Sequence, residues 1–335
     1  MVWLLAPGRG CRLLIAVKVR AGAAAIKKTI RGAGREGDGA RSGFADAQMT
    51  IKQLTKWLAV ALGALVGLVA FAVAAVYAVS ELKLRKTYPV PPTEIAVPAD
   101  SAALTEGQRL ATIHGCNGCH GPNFQGAVFF DQPGVARLVA ANLTEVARTY
   151  SDAELARAVR HGVKRDGRGV AGMPSAMFYD LSDHDLARII AYVRSRPRVD
   201  NTLPPRHVGP LGRLGLVLGQ YHLEPDGIDH TRPRLAAEPA DRVAYGRYLA
   251  KTSCPECHGP NLRGEPGRTP SLVLVVPAYR EEQFQSFLRT GVALGGRELP
   301  LMSDMARSRF SHFADDEVRA LYAYLTSLSA ADSAR

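Results

Sequence analysis

Residues 116–126 read CNGCHGPNFQG, and residues 254–264 read CPECHGPNLRG. Each stretch contains two cysteines separated by two residues, a histidine directly after the second cysteine, and then a Gly-Pro-Asn segment. A chain of 335 residues is long enough for about two domains, each with a core of its own. The repeat therefore predicts two similar domains, one built around each stretch.

The Cys-x-x-Cys-His spacing is the attachment signature of c-type haem. Each cysteine sulfur forms a thioether with a haem vinyl group, and the histidine binds the iron from below. A thioredoxin-like pair does not require the histidine, and a structural zinc site needs four cysteines in one place or further histidines. Four of the five cysteines belong to the two motifs, which leaves Cys11 alone and no material for a disulfide framework. We therefore expect two covalently attached haem c groups, held by Cys116, Cys119, Cys254 and Cys257, with His120 and His258 as iron ligands.

The repeat extends well beyond the cysteine motifs. A Gly-containing segment precedes each motif, at residues 106–110 and 245–249. An amphipathic pattern with helical period closes each unit, over Asp183–Arg194 and Asp315–Leu328. Ser182 and Asp183 supply N-cap chemistry for the first of these helices. Tyr192 and Tyr324 are expected to pack against the first helix of their own unit.

These motifs resemble the class I cytochrome c family, in which a small helical domain carries the haem motif after its first helix. The resemblance implies an all-α fold with two tandem cytochrome c domains, over residues 100–197 and 237–330, behind a single N-terminal transmembrane helix. In detail the chain is similar to the cytochrome subunits of membrane-bound dehydrogenases. This similarity implies electron transfer between redox partner proteins, with a dehydrogenase or quinol-linked donor and a cytochrome or oxidase acceptor.

A low-spin haem needs a second axial ligand, and a methionine thioether gives a higher reduction potential than a second imidazole. The candidate in the first unit is Met173, five residues after Arg168. In the second unit, counting residues forward from the glycines that match those of the first unit selects Met302, which lies in a predicted loop. Counting back from the closing helix selects Met305 instead. We predict Met302 and keep Met305 as the alternative. A bis-histidine site is the less favoured possibility, because His114 is badly placed and His161, His184 and His312 are expected to be solvated.

Residues 57–79 form an uninterrupted apolar run. As a helix this run would span about 34 Å, enough to cross a hydrocarbon core of about 30 Å. It predicts a single-pass signal anchor within residues 49–86, with a cleaved signal peptide ending near Ala78 as the alternative. Because haem c is attached outside the cytoplasmic membrane in bacteria, we expect an inner-membrane protein with its C-terminal haem domains in the periplasm.

The net charge of +11 is concentrated at the N-terminus. Residues 1–48 carry nine basic residues (Lys or Arg) and three acidic ones (Asp or Glu). Residues 49–86 carry five basic and one acidic, and the rest of the chain carries 28 basic and 27 acidic. The nearly neutral haem-bearing part excludes nucleic acid as an expected partner. Residues 1–48 are either a basic extension or a mis-assigned start, since Met49 begins an ordinary signal-anchor sequence.

Two further segments join these parts. Residues 87–99 are proline-rich and predict an extended spacer that lifts the first domain off the bilayer. Residues 198–236 form a long connector, in which the apolar run at 214–218 is expected to pack between the domains.

No nucleophile, general base or substrate pocket is evident, so electron transfer is the expected function and no catalytic residue is assigned. The rival is a dihaem peroxidase, which would need one iron with an open distal site. A methionine at equivalent places in both units favours electron transfer.

Overall fold

The computed structural model describes residues 50–333, so the expectations for residues 1–48 lie outside the described part. Helix α1, Ile51–Arg85, begins with a capping box between Thr50 and Gln53. It is 35 residues long, and none of its most apolar stretch is buried against the rest of the protein. Its length and composition are sufficient for a membrane span, as the apolar run predicted.

The first cytochrome-like unit, which we call unit one, follows α1. Its core consists of buried aliphatic and aromatic side chains from the first, middle and last helices of the unit. Ser182 caps the closing helix by accepting a hydrogen bond from the backbone N–H of Asp185, as predicted. Its helices are α2 Ser101–Ile113, α3 Cys116–His120, α4 Leu143–Thr149, α5 Asp152–His161, α6 Ser175–Phe178 and α7 Asp183–Ser195.

The connector contributes one α-helix, α8 Pro210–Val217, and a short 3-10 turn, Glu224–Gly227. Unit two then repeats the helical order of unit one, with a core of its own. Its helices are α9 Arg242–Ser253, α10 Pro255–His258, α11 Leu272–Val275, α12 Glu281–Thr290, α13 Met302–Ser308 and α14 Asp315–Ser333, with 3-10 turns at Val276–Ala278 and Phe310–His312.

In each unit the first and last helices cross at a glycine. A Cβ atom on Gly107 of α2 would lie 2.0 Å from the carbonyl oxygen of Arg188 on α7, and one on Gly246 of α9 would lie 1.9 Å from that of Ala320 on α14. Tyr192 and Tyr324 pack beside these two glycines, as predicted. Glycine permits the close approach of the two backbones because it has no side chain.

The structure also contains five short strands that the sequence did not predict. Strands β1 Ala127–Gln132, β2 Ala136–Ala140 and β3 His207–Val208 form an antiparallel sheet on unit one, while β4 Val292–Ala293 and β5 Arg297–Glu298 form a small hairpin in unit two. Equivalent backbone hydrogen bonds join Leu143 to Phe124 and Leu272 to Leu262, across segments of different length. The β1–β2 hairpin is therefore an insertion specific to unit one.

Both linking segments differ from their predicted roles. The spacer after α1 is extended, but it lies along unit one: Tyr88 is buried, and its backbone N–H donates to the carbonyl oxygen of Gly167. The prediction that the spacer lifts unit one away was therefore wrong. The prediction that the apolar run at 214–218 packs between the two units was also wrong, since α8 packs against the end of α1. Periodicity shows that a segment is apolar, but it does not identify the surface that the segment meets.

Units one and two pack directly against each other. Ile113, at the end of α2, is buried in the core of unit two. Arg109 forms a salt bridge with Glu317, with 2.6 Å between Nη1 and Oε2. The hydroxyl of Tyr248 hydrogen-bonds the carboxylate of Asp185, on α7. The helix that precedes each haem motif therefore ends at the interface between the units.

Candidate haem-binding sites

The haem motif of unit two opens onto an apolar cavity. Cys254 ends α9, and Cys257 and His258 lie on the short helix α10. The cavity is lined by the two cysteines and the histidine together with aliphatic and aromatic side chains from α11, α12, α13 and α14. Met302 and Met305 are both part of this lining. Thiols, an imidazole and a thioether around an apolar space are the set of groups that a covalently bound haem requires.

A backbone carbonyl orients the motif histidine in each unit. Nδ1 of His120 lies 2.8 Å from the carbonyl oxygen of Ala141, and Nδ1 of His258 lies 2.9 Å from that of Pro270. Because a carbonyl oxygen only accepts, Nδ1 donates its hydrogen in both rings, which leaves Nε2 with a lone pair for a metal. Burial lowers the pKa of both imidazoles and so favours the neutral form that binds iron.

Three of the four motif cysteines lie in surroundings of low polarity, while Cys119 is disulfide-bonded in this structure. Burial raises the pKa of the Cys116 thiol to about 11 and that of the Cys254 thiol to about 12. The pKa of Cys257 is raised as well, again mainly by burial. Thiols this far from ionisation are poor metal thiolates or redox nucleophiles at neutral pH. Their environment suits thioether attachment to an apolar porphyrin.

The candidate methionines occupy comparable places in the two units. Met173 lies two residues before α6 and packs, half-buried, against the core of unit one. Met302 is the first residue of α13, and Met305 lies one turn later on the same helix. The prediction that Met302 lies in a loop was therefore wrong, since the helix expected to start at Met305 begins three residues earlier, at Met302. Both methionines contact the core of unit two.

The remaining histidines are only partly as predicted. His184 and His312 are exposed or half-exposed at the surface. His161 is half-buried, and its Nδ1 lies 2.9 Å from Nδ1 of His230 in the connector, so the prediction that it is solvated was wrong. His114 is buried at the interface, where its Nδ1 lies 3.0 Å from the carbonyl oxygen of Thr252. Burial lowers the pKa of His114 to about 4.

Two charged residues near the motifs had no signal in the sequence. Arg309, at the end of α13, lines the cavity of unit two and also reaches unit one. Glu224, in the connector, lies against Gly162 and the start of α6 in unit one. Burial raises the pKa of Glu224 to about 7. Their roles depend on contacts between distant parts of the chain, which no local pattern reveals.

Comparison with known proteins agrees with this geometry. The sequence profile of the cytochrome c family matches residues 104–197 and 243–329. The chain is 26% identical over 270 residues to the cytochrome c subunit of an alcohol dehydrogenase (quinone) from Gluconacetobacter polyoxogenes. It is 26% identical over 296 residues to the gluconate 2-dehydrogenase cytochrome c subunit of Pantoea cypripedii, and 27% identical over 275 residues to a subunit of nicotinate dehydrogenase from Pseudomonas putida.

These matches cover 69%, 71% and 71% of this chain, but 57%, 62% and 22% of the three relatives. The chain thus corresponds to part of each relative's length. The two profile matches each contain one Cys-x-x-Cys-His motif and together cover more than half of the residues. The chain belongs to the cytochrome c family, as a dihaem member related to the electron-transfer subunits of quinone-linked dehydrogenases.

Proposed function

We propose that this protein is a membrane-anchored periplasmic cytochrome that carries electrons from a dehydrogenase or quinol-linked donor to a downstream cytochrome or oxidase. The observation that carries the proposal is the arrangement in unit two, where both motif cysteines, an oriented histidine and two methionines line one apolar cavity. Haem iron bound there supplies one-electron redox chemistry. The protein's part is to hold, orient and shield it.

We assign Met173 and Met302 as the distal ligands. The register of the two units supports this choice. In unit one, Val163 forms a β-bridge with Gly169, and in unit two Val292 pairs with Glu298. The second pair lies 129 positions after the first, residue for residue. The same shift carries Met173 to Met302.

Met305 has a different counterpart. Ser175 and Ser303 are both fully buried, and each lies against the glycine that ends the preceding helix. Met177 and Met305 each follow that serine by two residues, which is a shift of 128 positions and not 129. Unit two therefore has one residue fewer between its two methionines than unit one has. Met177 is a core residue with 4% exposure. Helix α13 has seven residues where α6 has four, so the extra residues of unit two fall after both methionines.

The interface between the units supports electron transfer in series. The helix before each motif ends at this interface, where His114 of unit one meets the carbonyl oxygen of Thr252 in unit two. The residues just before the two motifs therefore contact each other across a packed boundary, which supports a short path between two bound haems. The relatives are named as subunits of dehydrogenases, which supports a dehydrogenase as the donor.

Replacing Cys116 and Cys119 together by serine is expected to halve the haem content, because each motif attaches one haem. Replacing Cys254 and Cys257 should do the same, and the two variants should retain different haems. The measurement is a pyridine haemochrome assay per chain, together with a redox titration that resolves two one-electron steps in the unmodified protein. A chain with fewer than two covalent haems would contradict the proposal. A high-spin haem with peroxide turnover would favour the peroxidase.

A further inference from the structure

Helix α8 is attached to the end of the membrane-spanning helix. Arg213 donates hydrogen bonds to Oγ of Ser80, at 2.9 Å, and to the carboxylate of Glu81, at 3.0 Å. Nζ of Lys83 donates to the carbonyl oxygen of Leu216 at the end of α8, at 2.9 Å. These contacts fix α8 beside the first residues after the apolar run, which ends at Val79. If α1 spans the bilayer, α8 lies at the level of the lipid headgroups.

The other face of α8 is apolar and has no partner in the described part of the protein. Leu211, Leu214 and Leu218 are 64%, 40% and 62% exposed. Because they are spaced by three and then four residues, the three leucines lie on the same side of the helix. A row of exposed leucines on a helix is unusual for a surface that faces only water. Its position directly beside a membrane span suggests that lipid covers it.

A basic crevice of about 480 Å³ lies next to α8, between the end of α1 and the sheet of unit one. Glu81 is its one acidic lining residue and pairs with two of its arginines, and Asp131 and Asp166 each pair with one more, which leaves the crevice with a smaller net positive charge. Anionic lipid headgroups are attracted to such clusters near the membrane surface. The arginines that line it are Arg85, Arg137, Arg168, Arg206 and Arg213.

We propose that α8 is a membrane-interface helix whose leucine face lies in the boundary between headgroups and acyl chains, with anionic headgroups at the adjacent arginines. The inference rests on the proposed membrane anchor and extends it. An amphipathic helix in this position gives the cytochrome units a second attachment to the bilayer. Two attachments hold unit one at a fixed angle to the membrane, which restricts the partners that each haem can reach.

The test is photo-crosslinking of the full-length protein, purified alone into nanodiscs of phosphatidylethanolamine and phosphatidylglycerol. A photoreactive phenylalanine analogue replaces Leu218, Leu274 or Val66 in turn. Leu274 is 74% exposed on unit two and serves as the matched control, while Val66 lies in the apolar run. We expect lipid adducts at 218 and 66 and none at 274. Adducts at 66 without adducts at 218 would overturn the inference but leave the anchor intact, whereas no adduct at either position would contradict the anchor itself.

A second variant tests the orientation. Replacing Leu211, Leu214 and Leu218 together by glutamine should leave the protein in the membrane after carbonate washing. The fixed haem-plane angle, measured by linear dichroism in oriented membranes, should be lost. L274Q should retain it. Equal dichroism in the triple variant and the unmodified protein would contradict the lipid contact that fixes the orientation.

A separate observation concerns the boundary between the two haem motifs. Nε of Arg309 in unit two donates to the carbonyl oxygen of Ile113 in unit one, at 2.9 Å. Its guanidinium carbon lies 2.7 Å from the point that a Cβ on Gly115 would occupy, directly before Cys116. Nη1 of Arg309 lies 3.7 Å from the carboxylate of Glu256, inside the second motif. One guanidinium therefore contacts or adjoins both motifs.

The Arg309 side chain is 13% exposed, and its Nη2 atom is buried with no hydrogen-bond partner among the described residues. Its charge therefore lies beside both attachment sites. A buried charge of this kind is costly unless it is paired and hydrogen-bonded, and Ile113 and Glu256 supply those partners.

We infer that Arg309 is a positioning residue, which fixes the spacing of the two haem sites and raises both reduction potentials through its charge. This inference rests on the proposed electron-transfer function. Oxidation adds a positive charge at the iron, so a nearby cation favours the reduced state.

Arg309→Met is expected to shift the reduction equilibrium of both haems toward the oxidised form, by several-fold up to about tenfold, where tenfold corresponds to about 59 mV for one electron. Glu256→Gln should shift the second haem in the opposite direction. Arg309→Lys, which keeps the charge, should stay near the unmodified protein. Redox titration measures all three.

The matched control is Arg307→Met, because Arg307 lies on the same helix and pairs with Glu298 and Asp304 of its own unit. It should leave both potentials nearly unchanged. Equal shifts for Arg307→Met and Arg309→Met would contradict the inference, as would shifts of the same sign for Arg309→Met and Glu256→Gln. The thioether-to-iron band should persist in every variant and shows that ligation is intact.

Discussion

Replacing Met302 by alanine is expected to abolish the thioether-to-iron charge-transfer band of one haem and to lower its reduction potential. Methionine raises the potential of a histidine-bound haem, and its loss leaves a water or an imidazole as the sixth ligand. The expected fall is on the order of 0.1 V, within the ~0.8 V that axial ligands span. Absorption spectra of the oxidised protein and a redox titration measure the two effects. The other haem should keep its band and potential.

Met305→Ala is the matched comparison on the same helix. Met305 contacts the core of unit two, and its sulfur lies 4.0 Å from Nη1 of Arg309, on the side of the unit interface. Truncating it should cost about 2 kcal/mol of stability or more, by loss of packing, and leave the band in place. If Met305→Ala removes the band and Met302→Ala retains it, the ligand assignment in unit two is wrong.

The same pair exists in unit one. Met173→Ala should remove the band of the first haem, and Met177→Ala should only destabilise the core. The double variant with Met173→Ala and Met302→Ala should then show no band at all. A residual band would mean that at least one of the two haems has a different distal ligand.

Gly107→Ala and Gly246→Ala are each expected to destabilise their own unit strongly. The added methyl group would lie about 2 Å from a backbone carbonyl oxygen on the closing helix, far inside van der Waals contact. The helices must move apart, because a carbonyl within a helix cannot turn away as a flexible side chain can. Overpacking of this kind costs about 3 kcal/mol or more, which outweighs the ~1 kcal/mol that alanine gains over glycine in a helix.

Thermal unfolding followed by haem absorbance and far-UV circular dichroism measures the loss. A destabilisation of about 3 kcal/mol corresponds to a fall in Tm of roughly 4 °C for a protein of this size. Gly63→Ala is the control, since Gly63 lies in α1 outside both haem motifs and a Cβ there meets nothing within 4 Å. An unchanged Tm in Gly107→Ala would show that α2 and α7 do not cross as closely as described.

Much of the candidate site was predictable because its chemistry depends on short spacings. Attachment of haem requires two cysteines and a histidine within five residues, and the closing helices show a periodic apolar face. The ambiguity between Met302 and Met305 could not be resolved in this way. It depends on where three extra residues fall, and counting from either side of an insertion gives a different answer. The pairing of β4 with β5 agrees with the forward count and supports Met302, which stays a prediction.

The sequence by itself determined the two haem motifs, the two helical units around them and the apolar span before them, because each is a local pattern of residue types. Only the tertiary structure decided how these parts meet. Arg309 contacts Ile113, which lies 196 positions earlier in the chain. Helix α8 packs against α1 and not between the two units. Such contacts form when segments that are distant in sequence pack together and buried charged groups are paired across the surfaces between them. No spacing along the chain encodes them, since the residues involved share no periodic relationship.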